Sequence, residues 1–71
     1  MYVFYTILFS QYEILGEEER LIDEYKLPLK ENKESLEALL IKLNYEFIGD
    51  VNMWGFKSNN FISVAEIVIA D

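Results

Sequence analysis

The side chains able to do acid–base chemistry in this sequence are thirteen Asp and Glu and five Tyr, with no histidine and no cysteine. General acid–base catalysis runs most often through histidine, and nucleophilic catalysis through a serine or cysteine activated by a neighbouring base. Most hydrolase and transferase mechanisms therefore lose their usual parts. Paired carboxylates of the glycosidase type would remain, drawn from Glu13, Glu17, Glu18, Glu46, Asp50 and Glu66. A chain of 71 residues hardly builds the sugar cleft in which such a pair works. Oxygen-only cation loops need a D-x-D-x-D-G-like run, which does not occur, and three consecutive glutamates, Glu17, Glu18 and Glu19, would diverge around a helix. The three glycines form neither of the glycine-rich phosphate-binding patterns. The expectation is a protein that is not an enzyme, with no catalytic residue, no metal and no cofactor.

Charge is the feature with functional content. The net charge is −7, a field that repels nucleic acid and anionic membrane surfaces and attracts basic partners. Residues 13–37 hold nine acidic and four basic side chains, and residues 38–71 hold four and two. Glu17, Glu18, Glu19, Asp23, Glu24, Glu31, Glu34 and Glu37 are expected to form an acidic helical face that could occupy a basic groove by imitating phosphates. The bland account of the same residues is a solvated helix surface, partly paired with Arg20, Lys30 or Lys33. Two apolar residues join the candidate binding set. Ile41 falls on the side of its helix away from Leu36, Leu39, Leu40 and Leu43, as an exposed contact or as packing under the loop at Pro28. Trp54 sits beside an expected turn, as an interface anchor or as a plug of the core.

The elements that must position these groups follow from patterning. Tyr2–Phe9 is an unbroken aromatic and β-branched run, the signature of a central strand. Gly16 and the three glutamates after it read as a break and an acidic first turn, giving a first helix over Glu17–Lys26 with Leu21, Ile22 and Tyr25 on one side. Pro28 ends it. From Asn32 as N-cap to about Asn44, leucines at i, i+3, i+4 and i+7 predict a second helix. Strand chemistry then dominates in Tyr45–Val51, Trp54–Ser58 and Phe61–Ala70, with Asn59-Asn60 as a two-residue hairpin turn and Asn52-Met53 as a further reversal.

These elements make one α+β domain over residues 1–71: a small, mostly antiparallel four-stranded sheet in the order β-α-α-β-β-β, with two helices packed on one face. The lack of cysteine favours a cytoplasmic setting, and the apolar opening is too short to span a bilayer. The functional expectation is a small acidic inhibitor that occludes a basic, nucleic-acid-handling protein, without contacting nucleic acid or membrane itself. Small phage anti-defence and anti-CRISPR proteins, immunity proteins and antitoxins are of this general physical type, by size, charge and lack of chemistry and not by any motif. The alternative is an assembly module. The first strand is apolar on both alternations and the helices cover only one face, so an aromatic sheet face would be left to a homodimer.

Overall fold

A computed structural model gives the fold of residues 3–49 and 52–70. In chain order the elements are β1 (Tyr5–Leu15), β2 (Glu18–Lys26), α1 (Lys33–Lys42), β3 (Glu46–Phe47), β4 (Met53–Ser58) and β5 (Phe61–Ile69). The strands form one sheet in the order β2-β1-β5-β4-β3, every neighbouring pair antiparallel. The expected four strands and two helices are thus corrected to five strands and one helix. Tyr2 of the expected first strand, and Asp50 and Val51, lie outside the described residues.

The correction concerns residues 17–26, which form a turn and a strand in place of a helix. Gly16, at φ 66°, is the first of two residues linking Leu15 to its partner Glu18. A positive φ at that position is what a tight hairpin requires, and glycine reaches it without a Cβ penalty. The chain therefore reverses at Gly16 instead of starting a helix. β2 then pairs back along β1 with one irregularity: Gln11 faces Asp23 and Tyr12 faces Leu21, leaving Ile22 as an extra residue. That bulge places two apolar residues in succession and so imitates a helical i, i+1, i+4 stripe. Leu21 and Tyr25 in fact lie on opposite faces, opposite Tyr12 and Phe9 respectively.

The one helix forms where the leucine spacing predicts it. Asn32 caps it, its Oδ1 accepting from the Ser35 backbone N–H at 2.8 Å. At the other end Asn44 takes φ 69°, its N–H donates to the Ile41 carbonyl at 3.0 Å, and the Tyr45 N–H donates to the Leu40 carbonyl at 2.9 Å. These paired bonds close the helix and aim the chain at β3. Ahead of the helix, Tyr5 and Glu31 exchange two backbone hydrogen bonds, and the Thr6 hydroxyl donates to the Leu27 carbonyl at 2.7 Å, which tethers the Pro28 bend to β1.

The register puts Ile7 opposite Ile67, and Phe9 and Trp54 on either side of Ala65. These five residues, with Leu36 and Leu40 from the helix, are the buried core. Trp54 is therefore a core plug, 7% exposed, with Phe47 edge-on to its ring at 5.5 Å. Ile41 is 62% exposed and packs under nothing. A row of rings, Tyr25, Phe9, Tyr45 and Phe56, crosses the sheet at spacings of 5.3, 6.0 and 5.9 Å where the helix ends.

Helix and sheet differ in length. Ten helical residues span about 15 Å, whereas the eleven of β1 span about 37 Å. The helix can cover less than half of the face it lies on. The consequence is an elongated shape of 47 × 20 × 18 Å.

Since Leu40 is fully buried and Ile41 beside it is exposed, their truncations should separate cleanly. We expect Leu40→Ala to cost about 2–5 kcal/mol, enough to unfold most of a domain this small, and Ile41→Ala to stay within about 0.5 kcal/mol. Urea denaturation followed by tryptophan fluorescence checks both, and similar losses for the two variants would contradict this packing.

Candidate functional site

The acidic residues do not gather on a helical face. Glu18, Glu19, Asp23 and Glu24 lie along β2, and Glu17 sits in the turn before it. Glu31 lies in the loop that bridges to Tyr5, and Glu34 and Glu37 lie on α1. The last three are matched in number by Lys26, Lys30 and Lys33, so residues 25–37 carry no net charge. The excess is concentrated elsewhere: residues 11–24 contain six acidic side chains and Arg20 alone as a basic one, a net charge of −5 out of −7. The structure brings those residues together in one object, the upper part of the β1–β2 hairpin.

This hairpin forms a finger for identifiable reasons. β5 begins at Phe61 opposite Glu13, and the Ile14 N–H makes the last link to it, donating to the Asn60 carbonyl at 2.7 Å. Above that level only β1 and β2 continue. Helix α1 stops at the ring row, so no second layer stands over Gln11, Glu13 or Leu15. β2 is the outer strand of the sheet and each of its nine residues is exposed. An unpaired edge of this kind would invite strand addition, and charged side chains with a bulge are the usual protections against it.

Within the finger, Arg20 and Glu13 face each other across the strands and form an ion pair at 2.8 Å. Both groups reach solvent, so the pair contributes no more than about 1 kcal/mol. The Asp23 carboxylate accepts from the Glu24 backbone N–H at 2.9 Å, and the Glu24 carboxylate accepts weakly from the Ser10 hydroxyl at 3.4 Å. Glu17, Glu18 and Glu19 extend from the tip. Leu15, Leu21 and Ile22, all exposed, stand among these charges.

Of the sequence-predicted binding residues, then, Glu17, Glu18, Glu19, Asp23 and Glu24 share the finger. Glu31, Glu34, Glu37 and Ile41 are placed apart from it, and Trp54 is withdrawn into the core. Leu15, Leu21 and Ile22, exposed beside these carboxylates, stand outside the predicted set, because the helical reading put Leu21 and Ile22 on one apolar side of a helix. Sequence reasoning also missed an open cleft of about 440 Å³ at the other end of the sheet, walled by Leu27, Pro28, Leu29 and Ala70 with Lys26 and Lys30 at its rim. Among the described residues no group of three or more carboxylates is placed to hold a metal ion, and no helix is long and apolar enough to cross a membrane.

The ring row that separates the covered from the uncovered part of the sheet carries one perturbed ionisation. Burial raises the Tyr45 hydroxyl above its ordinary value of 10.0; a hydrogen bond with the Ser63 side chain lowers it in part, and Tyr25 adds to the rise. Its folded-state value thus exceeds the unfolded one. The associated stability is intact below pH 10 and is lost as the pH climbs from the unfolded toward the folded value. We expect the phenolate absorbance of the native chain to contain a step above the ordinary tyrosine value that is missing from Tyr45→Phe; a native titration in which that substitution removes no such late step would contradict this burial.

The chain matches no family model, no curated protein and no solved structure.

Proposed function

We propose that this protein is a small acidic binding protein that inhibits a basic, nucleic-acid-handling partner by laying the β1–β2 finger across its basic surface. The observation that carries this reading is the confinement of a net charge of −5 to the fourteen residues 11–24, on the part of the sheet that has no covering layer.

The placement of the carboxylates on both faces of β2 supports the same reading. From Glu18 to Glu24 the strand runs about 20 Å and carries four carboxylates in two adjacent pairs, Glu18 with Glu19 and Asp23 with Glu24, so that each face of the finger presents two. β2 thus offers a basic groove a negative surface on either side of the finger. Leu15, Leu21 and Ile22 add contact area that phosphates lack, and such area favours a protein partner over small cations. The finger works as a steric and electrostatic plug, with no bond made or broken.

The test uses the tagged full chain on a support, lysate of the source or host cells, and two variants. In Glu17→Lys/Glu18→Lys/Glu19→Lys the tip is reversed; in Glu34→Lys/Glu37→Lys the helix is changed by the same kind of substitution. We expect the native chain and the helix variant to retain a basic nucleic-acid-binding protein and the finger variant to lose it. The retained protein should elute between about 0.1 and 1 M salt, where the Debye length shrinks from about 10 to about 3 Å. Equal retention by the finger variant, or retention that salt does not reverse, would defeat the proposal.

A further inference from the structure

β2 is the long open edge of the sheet, and the register shows which of its backbone groups turn outward. The Leu27 N–H donates to the Ile7 carbonyl at 2.9 Å, so the β2 residues opposite odd-numbered positions of β1 direct their N–H and C=O groups inward. These are Glu18, Arg20, Asp23 and Tyr25. Glu19, Leu21, Glu24 and Lys26, opposite even-numbered positions, direct theirs away from the sheet. In agreement, the Glu24 N–H donates to the Asp23 carboxylate at 2.9 Å. The other edge is short: β3 has two residues and pairs with Trp54 and Gly55, which leaves Phe56–Ser58 of β4 beyond it.

A nine-residue edge with a row of outward N–H and C=O groups is a template for a further strand, whose main-chain bonds supply affinity and whose side chains supply choice. Here the side chains choose by charge. Glu18 with Glu19 and Asp23 with Glu24 form two acidic pairs, with one member of each pair on either face, and Arg20, Leu21 and Ile22 lie between them. A second copy of β2 is selected against, because pairing would set two segments of net charge −5 side by side. The residues that keep a copy off the edge favour a strand of opposite charge.

We propose that the outer edge of β2 takes an extended basic segment of the partner as a sixth strand of the sheet. This rests on the reading of the finger as the partner-binding element and adds the form in which the partner meets it. The segment places one pair of adjacent basic residues opposite Asp23 and Glu24 and a second pair opposite Glu18 and Glu19. Between the pairs stand an apolar residue opposite the bulge of Leu21 and Ile22, which counts as one position of the ladder, and an uncharged residue opposite Arg20. The outward N–H groups of Glu19, Leu21 and Glu24 donate to the added strand, and the carboxylates beside them hold its basic side chains on both faces.

The test uses the isotope-labelled full chain and a capped peptide of the sequence Thr-Lys-Lys-Val-Thr-Lys-Lys-Thr. A twin peptide is N-methylated at its valine and central threonine, which removes one N–H donor from each of its edges and leaves charge and side chains the same. We expect the plain peptide to bind at low salt and the twin to bind about tenfold more weakly. Saturation with the plain peptide should slow hydrogen exchange at Glu19, Leu21 and Glu24 by about tenfold, and by less at Glu18 and Arg20, whose N–H groups already face β1. Unchanged exchange at the outward amides, or binding of neither peptide, overturns the proposal. So does protection of those amides in the free chain that grows with its concentration, which would put a second copy on the edge. Equal, salt-sensitive binding of both peptides strikes strand addition and leaves the charge reading in place, so the two proposals fail separately.

Discussion

The nine-residue antiparallel pairing of β1 with β5 supplies the two strands on which everything else is laid. It sets Ile7 beside Ile67 and Phe9 beside Ala65, the floor on which Leu36 and Leu40 of α1 sit. It leaves β1 one free edge, which β2 fills, and β5 one free edge, which β4 fills. Because both inner strands are longer than the helix, the same pairing also fixes what the helix cannot reach. The uncovered finger is the result of that mismatch in length.

The legible parts of this fold were those where a single rule acts. Asn32 followed by leucines at helical spacing has no competing reading, and the helix lies where that pattern puts it. Asn59 takes φ 49° in a two-residue turn between Ser58 and Phe61, as an asparagine pair between two strand-like runs suggests. Residues 17–26 failed because two local signals pointed the same wrong way. Acidic residues after a glycine resemble a helical first turn, and the bulge at Ile22 breaks the alternation that would have announced a strand. The pairing partner that decides the matter, β1, lies upstream and acts through tertiary hydrogen bonds that no local window contains. The strand expected over Tyr45–Val51 shrank to β3, Glu46–Phe47, for a related reason: a strand is as long as its ladder, and β3 pairs only with Gly55 and Trp54.

The candidate site was legible in its chemistry and not in its shape. The acidic excess was visible in composition, but which carboxylates act together depends on the hairpin. Once Lys26, Lys30 and Lys33 are seen to offset Glu31, Glu34 and Glu37, the helix loses its claim to the charge. Trp54 was ambiguous for a similar reason, since the neighbouring residues suggest a turn while the cross-strand pair with Ala65 puts the ring under α1.

The order of the sheet has a kinetic consequence. β1 and β2 are joined by two residues and can zip within microseconds, but β1 meets β5 only after a loop of some fifty residues has closed. Closing that loop early is entropically costly, so folding should be slow for so short a chain, and α1 has no floor to dock on until it happens. During that interval the inner edge of β1 is bare and apolar on both sides. The acidic strand beside it then acts as a gatekeeper, since a chain repelled by its own copies is less able to pair with them wrongly while it waits for β5.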